Sequence, residues 1–408
     1  MNKVKIFKIG FLVSSLLASL LLLEGLLFMF FEKHEYYIWP PNFRQEFSPE
    51  PDIIPGIEDL STITANEFGI RGQNFSKSYK YHILTVGGST TECLYLDDTE
   101  TWPLLLQNEL NQRHKGNSIW IGNVGRSGNG SKEHILQIKH MLRQFPQIDL
   151  VLVLLGVNDF SAFVARKEFV ITKVEENYYF ESQSYTRGFT IRPYTFGNDL
   201  PFYKKTITWH HLRNVKAKLN NFLNLEGYIQ DISGKWIEDL RLKRSESHNM
   251  IQNLPNLDLG LLEYSQNIQE MIRIARSHNK GIAFITQPVL WRSDLPEELS
   301  RLCWFGWTNR GPKVRSEKPS EKFHPIVPPG YDNYFDFNQL SLGMDTYNRN
   351  LQVLCQKEQV PCFDLASVLS KDSDTFYDDC HFNEPGARKV AQALLMFLDQ
   401  IMQNPADD

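Results

Sequence analysis

Four distant stretches of the chain carry the residue types of a nucleophilic relay and its oxyanion donors. Ser89 follows Gly87-Gly88 at the end of the apolar run 81–86. Glycines there let the backbone turn sharply and approach a ligand. A serine on such a turn projects its hydroxyl into a cleft while its own N–H faces a developing oxyanion. His381, an imidazole that titrates near neutrality when free, supplies a base. Asp378 lies three residues earlier, near enough for one loop to bring its carboxylate to the far imidazole nitrogen. Asp379 is the alternative orienting group, because spacing does not separate neighbours. The N–H of Ser89, a backbone N–H at Gly128 and the Asn158 side-chain amide could converge on one oxyanion. Each feature alone has a plain explanation: Gly-Gly-Ser as an ordinary strand-to-helix turn, D-x-x-H as a solvated cap, Asn158 as a residue satisfying its own turn. Together they are a nucleophile, a base, an orienting acid and oxyanion donors, the set that acyl transfer to serine requires.

These residues must be positioned by strands and helices that the pattern places at regular intervals. The run 81–86 reads as a buried strand. A helix follows Thr101, with Thr101 as its cap, Pro103 in the first turn, and Trp102, Leu105, Leu106 and Leu110 on one face. A short strand at 118–121 leads into Gly125, Gly128 and Gly130, a tight loop with exposed N–H groups. Ser131 is expected to cap the next helix, with Ile135, Ile138, Leu142 and Phe145 at helical spacing. Residues 150–155 are continuously aliphatic, as in a parallel strand covered on both faces, and end at Gly156-Val157-Asn158-Asp159. This is βαβαβ, and right-handed crossovers bring its three turns to one sheet edge. The rhythm resumes with a helix at 261–277, a strand at 281–286, a helix near 344–357, a strand at 360–365 and a last helix. Asn383 caps that helix, Pro385 opens it, and Val390, Leu394, Phe397, Leu398 and Ile401 form its buried face.

Two stretches break the pattern and read as insertions. The first, about 160–259, is polar and patchily helical, with 213–223 one candidate, and is expected to lie over the edge where the turns meet. The second, 290–342, carries Trp291, Trp304, Trp307, Tyr331, Tyr334 and Phe335. Such aromatics form either a platform for a sugar or acyl group or a self-packed loop. Residues 32–78, rich in proline and aromatics, read as an irregular lead-in. Within it Arg71 is either a structural residue under the first strand or a substrate contact.

Lys3, Lys5 and Lys8 precede the almost wholly apolar run 9–31. At roughly 1.5 Å per residue this run spans a bilayer core of about 30 Å. Basic residues before it favour a cytoplasmic N-terminus, placing the remainder outside as a single-pass, extracytoplasmic protein. A cleaved signal peptide is the competing reading. Glu24 interrupts the run at a cost in lipid. Net charge is -5, and no basic stripe or zinc-finger spacing points to nucleic acid. His210 and His211 would point about 100° apart on a helix and cannot share a metal, so neither metal nor cofactor is expected. The five cysteines (Cys93, Cys303, Cys355, Cys362, Cys380) allow one or two disulfides with at least one thiol left over.

The chain resembles the SGNH (GDSL-like) hydrolase superfamily. Four family blocks supply a serine, a glycine, an asparagine and a histidine in this order. Gly88-Ser89-Thr90 matches the first, with glycine where the family often has aspartate. Residues 123–128 match the second, Gly156-Val157-Asn158-Asp159 the third, and Asp378 with His381 the last. Residues 66–72 also resemble the lead-in of exported bacterial members. The likeness covers roughly 81–165 and 261–398, less both insertions. It implies a flavodoxin-like three-layer α/β/α sandwich with a parallel sheet, over 79–404, behind an anchor at 1–31. It implies Ser89 as nucleophile, His381 as base, Asp378 as orienting acid, and Ser89, Gly128 and Asn158 as the oxyanion hole. The expected substrate is an acylated carbohydrate or lipid, with an acetyl group among the candidates. Two alternatives are an O-acyltransferase of cell-surface polysaccharide on the same site and an inactive module that binds glycan or protein. Glu92 and Cys93, next to the nucleophile, have no assignable role from sequence.

Overall fold

A computed structural model describes all residues except 1–2, 31–35, 40, 59, 77, 115, 117, 172–202, 204–205, 210–211, 213–214, 217–218, 220–232, 248, 311–331 and 404–408. Its elements in chain order are α1 (Lys3–Phe30), β1 (Arg44–Phe47), β2 (Ser61–Thr64), β3 (Tyr81–Gly87), α2 (Ser89–Glu92), α3 (Trp102–Arg113), β4 (Ile119–Asn123), α4 (Ser131–Gln144), β5 (Leu150–Leu154) and α5 (Val157–Ala165). They continue with α6 (Lys235–Ser245), β6 (Met250–Ile251), α7 (Asp258–Ser277), β7 (Gly281–Ile285), α8 (Glu297–Ser300), β8 (Trp307–Thr308), β9 (Asn333–Phe335), α9 (Phe337–Glu358), β10 (Cys362–Phe363), α10 (Leu365–Val368) and α11 (Glu384–Gln403).

Five strands form the central sheet in the order β10-β7-β5-β3-β4, and every pairing in it is parallel. Leu84 of β3 sits between Gly122 of β4 and Val151 of β5. The strand residues are aliphatic on both faces because both are covered. On one side α3 packs against α11; on the other α4 packs against α7, and α7 against α9. This is the three-layer sandwich that the resemblance implied. The turns after β3, β4 and β5 meet at the carboxyl edge, the usual ligand edge of such sheets.

Several local expectations differ in the structure. Gly130, rather than Ser131, caps α4, and the Glu133 carboxylate accepts the Gly130 N–H at 2.9 Å. Ser131 instead gives its N–H to Asp159 at 3.0 Å. Helix α5 runs on to Ala165, so the pattern breaks later than residue 160. Helix α9 starts at Phe337, seven residues before the expected 344, because Asp336 caps it by accepting the Gln339 N–H at 2.8 Å. The lead-in is folded: β1 and β2 pair antiparallel, and Trp39, Phe43, Phe47, Ile54 and Ile57 are buried in the common core. All five cysteines are free thiols.

Helix α1 includes the apolar stretch Phe7–Met29, long enough and apolar enough to cross a bilayer, and most of it is exposed. Glu24 accepts the N–H groups of Ile207 (2.6 Å) and Thr208 (3.0 Å) and the Thr208 hydroxyl (2.8 Å). Its carboxylate is thus satisfied by the first insertion. Of the candidate helix 213–223, only Val215, Lys216 and Leu219 are among the described residues. His210, His211 and Tyr331 lie outside them.

Candidate active site

Strand β3 delivers Ser89 to the carboxyl edge, and the turn that does so has no room for side chains. A Cβ on Gly87 would fall 2.1 Å from Thr91 Oγ1 and 2.6 Å from the Leu154 carbonyl. Ser89 then opens the single turn α2, which ends at Cys93 in the left-handed region (φ 56°). Arg71 fixes the backbone beyond. It is 1% exposed, pairs with Asp98 at 2.8 Å, and donates to the carbonyls of Glu92 (2.5 Å), Cys93 (3.0 Å) and Leu96 (2.6 Å). Arg71 is therefore structural, and the substrate-contact reading falls.

The loop after β4 returns over this turn. The Arg126 N–H donates to the Gly87 carbonyl at 3.0 Å, and Gly128 takes φ 78°, open to glycine without strain. Among the described residues, no protein acceptor takes the Ser89 or the Gly128 N–H. Asn158 stands at the start of α5 and donates one amide hydrogen to the Asn129 carbonyl at 2.7 Å. Its nitrogen lies over Gly88, where a Cβ would come within 2.5 Å of it. Asn158 thus meets the turn that carries Ser89, and the loop that carries Gly128 meets it through Arg126. Sequence reasoning missed a residue that ties this loop to the turn: Glu92. Its buried carboxylate accepts the Ser127 N–H at 2.7 Å and the Ser127 hydroxyl, with Arg126 at 3.5 Å. Desolvation raises the pKa of Glu92 despite the opposing Arg126. Its place beside the nucleophile was the only available signal.

The base arrives from the loop before α11. His381 Nε2 lies 2.6 Å from Ser89 Oγ, and His381 Nδ1 lies 2.8 and 2.7 Å from the two oxygens of Asp378. The imidazole stacks on Tyr377 at 5.5 Å between ring centres. Burial pulls its pKa down, but the charge and hydrogen bond of Asp378 outweigh burial, and the net shift is upward. Burial likewise raises Asp378, and the His381 partnership overrides it to leave the acid more readily ionised than usual. Asp379, the alternative orienting group, is directed elsewhere: it accepts from Trp291 Nε1 at 2.6 Å and the Trp304 N–H at 2.7 Å. Burial, then Asp378 beside it, raises its pKa.

The second insertion forms the wall of this loop. Trp291, Trp304, Tyr334 and Phe335 are buried, so a substrate platform made of them is ruled out. Trp307 is half-buried and stacks on Trp304 at 5.5 Å with 8° between planes. The donor atoms of Asp378, Cys380 and His381 lie within 4.8 Å of one another, a spacing a metal ion could bridge. His381 Nδ1 is already committed to Asp378, and burial pushes the Cys380 thiol far up, so the set fits an acid–base pair better than a metal site. The arrangement can take a proton from a serine hydroxyl, stabilise the imidazolium that results, and offer N–H groups to an oxyanion.

Residues 85–389 match the family model described as the GDSL-like lipase/acylhydrolase family. No curated protein matches the chain. Solved structures similar to it include a carbohydrate acetylesterase family member from Sinorhizobium meliloti, at 11% identity over 79% of this chain and 99% of that one, with a TM-score of 0.38. The native aryl esterase of M. smegmatis shares 13% identity over 78% and 99%, TM-score 0.38. An acetylxylan esterase from Geobacillus stearothermophilus shares 13% over 78% and 94%, TM-score 0.36.

Proposed function

The chain belongs to the GDSL-like lipase/acylhydrolase family and is a serine ester hydrolase, and we propose that Ser89, His381 and Asp378 carry its reaction on acylated carbohydrate or lipid. Ser89 Oγ attacks the ester carbonyl while His381 Nε2 takes the hydroxyl proton. The N–H groups of Ser89 and Gly128 and the Asn158 amide receive the oxyanion. Its collapse breaks the ester bond, and the leaving alcohol takes the proton back from His381. Water, deprotonated by the same nitrogen, then attacks the acyl-serine, and the second intermediate collapses to the free acid as Ser89 Oγ takes that proton back from His381. Asp378 holds the imidazole tautomer and stabilises its cation.

The observation that carries this reading is the unbroken line from Ser89 Oγ to His381 Nε2 (2.6 Å) and from Nδ1 to Asp378 (2.7 Å). Carbohydrate is favoured by the half-buried Trp307, whose ring belongs to the cluster that reaches His381 through Phe305. Aromatic faces of this kind stack against sugar rings. We place 1–31 as a signal-anchor with the domain on the extracytoplasmic side, a reading supported by Lys3, Lys5 and Lys8 ahead of the apolar run 9–31. Residues 32–78 join it to the catalytic domain at 79–404, and their buried aromatics make the lead-in part of any folded unit.

The test is full-length protein in detergent, treated with a fluorophosphonate and with p-nitrophenyl acetate, beside Ser89→Ala. Labelling and turnover lost together in the variant support the proposal, and turnover that survives rejects Ser89. Acetyl passed to an added sugar in preference to water would reassign the protein as a transferase.

A further inference from the structure

Asp378 and Asp379 are adjacent and both fully buried, yet the reaction uses only the first. Neighbouring buried carboxylates repel and are each expensive to ionise, so the second needs a physical reason. Asp379 turns away from His381 into the second insertion. One of its oxygens accepts Trp291 Nε1–H at 2.6 Å; the other accepts the backbone N–H groups of Trp304 (2.7 Å) and Phe305 (3.1 Å). Its own carbonyl accepts the Leu290 N–H at 2.8 Å. These bonds fix the backbone of Trp304, and the Trp304 indole N–H then reaches back to Asp378 Oδ2 at 2.9 Å. That oxygen also lies 2.7 Å from His381 Nδ1. Asp378 Oδ1 accepts the N–H groups of Cys380 (3.0 Å) and His381 (2.9 Å). The carboxylate is held at both oxygens, with Trp304 as its one donor from outside its own loop among the described residues.

The charge balance comes from the first insertion. Arg241 and Arg244 lie one turn apart on α6. Arg241 donates to the carbonyls of Ile53 (2.5 Å), Leu302 (2.8 Å) and Tyr377 (2.7 Å), which frame the acidic loop. Arg244 donates to the carbonyls of Phe305 and Phe335. Arg241 feels both carboxylates, and Arg244 feels Asp379. The buried thiols of Cys303 and Cys380 face the same pair, and Glu92 is the remaining acid that acts on His381.

We propose that Trp304 is a positioning residue for acyl transfer: its indole N–H, with its backbone held by Asp379, fixes the Asp378 carboxylate against His381 and draws off part of its charge. This rests on the reading of Ser89, His381 and Asp378 as the reacting groups. A tryptophan that merely filled the core would be replaced by phenylalanine without consequence for the base. Trp304→Phe keeps the buried ring and deletes the donor. Asp378 then puts more of its negative charge on His381, which binds its proton more tightly.

The experiment is the pH profile of kcat/KM for p-nitrophenyl acetate with full-length protein. In Trp304→Phe the acid limb moves to higher pH and kcat falls about tenfold, the scale of one hydrogen bond to a charged group, while KM stays within about twofold. Trp236→Phe is the control. It removes an indole N–H from the same cluster, where Trp236 meets Trp304 edge-on at 5.4 Å but donates to Tyr95 at 2.6 Å, and the limb stays in place. An unmoved limb in Trp304→Phe, or an equal movement in Trp236→Phe, overturns the proposal. Should Trp304→Phe not fold, wild-type protein labelled with 15N-tryptophan decides. One indole N–H among the eight tryptophans titrates with the midpoint of the kinetic limb, and eight indoles indifferent to it overturn the proposal. Loss of all activity in Ser89→Ala is read separately: activity that survives there refutes the underlying site, whatever Trp304 does.

Discussion

His381 works against its surroundings. Burial disfavours its cation, and Asp378, with Asp379 and Glu92 behind it, more than restores that cation. A base must be unprotonated to accept the Ser89 proton, so a raised pKa moves the onset of activity upward in pH. We expect kcat/KM for p-nitrophenyl acetate to rise through a midpoint above the ordinary histidine value of about 6.5. Asp378→Asn removes the main cause of the shift and lowers that midpoint, with turnover falling on the order of 10⁴-fold; an unmoved midpoint would remove Asp378 from its role. Asn158→Ala should cost about 10²–10³ in kcat with little change in KM, the usual effect of one lost oxyanion donor. The residues proposed to react were legible in the sequence because their chemistry is intrinsic to the side chain. Those that position them were not. Glu92 reaches Ser127 across 35 residues and Trp304 reaches Asp378 across 74, and no local pattern encodes such partners.

At the scale of elements, legibility followed burial. The central strands announced themselves because a parallel strand buried on both faces must be aliphatic throughout, as in the LVLVL of β5. Caps were harder, since Gly130 and Ser131 both suit an N-terminus and only the reach of Glu133 and Asp159 separates them. The lead-in was read as irregular because its strands are four residues each, too short for alternation to show. The first insertion was read as a covering for the edge where the turns meet, and the second as an aromatic platform or a self-packed loop. Their described parts converge on one loop, α6 bringing cations and the 290–305 stretch bringing donors to Asp378 and Asp379. The glycine turn after β3 gives the prediction at this scale. In Gly88→Ala the new methyl would lie 2.5 Å from the Asn158 amide nitrogen and 3.2 Å from the Asn129 carbonyl. The half-buried amide, held among the described residues by a single hydrogen bond, yields more readily than the sheet, so kcat should fall by about the same 10²–10³ as for Asn158→Ala, while the melting temperature stays nearly constant. The two changes combined should then cost little more than either alone; full additivity would show that Gly88 and Asn158 act independently.

For the whole molecule, the titratable groups whose pKa the fold shifts set how stability responds to pH. Desolvation raises Glu133 to about 7 and Asp159 to about 6, so the folded state holds protons that the unfolded chain, with ordinary carboxyls, releases. Each therefore weakens the fold at high pH, and that loss is recovered as pH falls through its folded value. His381, raised above the ordinary 6.5, acts in the same direction: its contribution is complete below 6.5 and disappears as pH rises through the folded value. His134 opposes them. Burial lowers it to about 4, so the unfolded chain alone binds a proton between 6.5 and 4, and stability falls across that window. Asp378, held below the ordinary 3.8, stabilises at neutral pH and gives this up only in strong acid. Summed, these groups make the fold firmer from pH 8 down to about 6.5, level to about 6, firmer again towards about 4.5, and weaker once Asp378 begins to protonate below the ordinary 3.8. The check is the thermal midpoint of full-length Ser89→Ala protein in detergent at pH 8, 6.5, 5 and 3.5, the substitution sparing the titrating groups while removing turnover. A midpoint highest at pH 8 would mean that Glu133 and Asp159 meet water in the folded state, and that the edge carrying Gly130 and Asn158 is more open than the geometry describes.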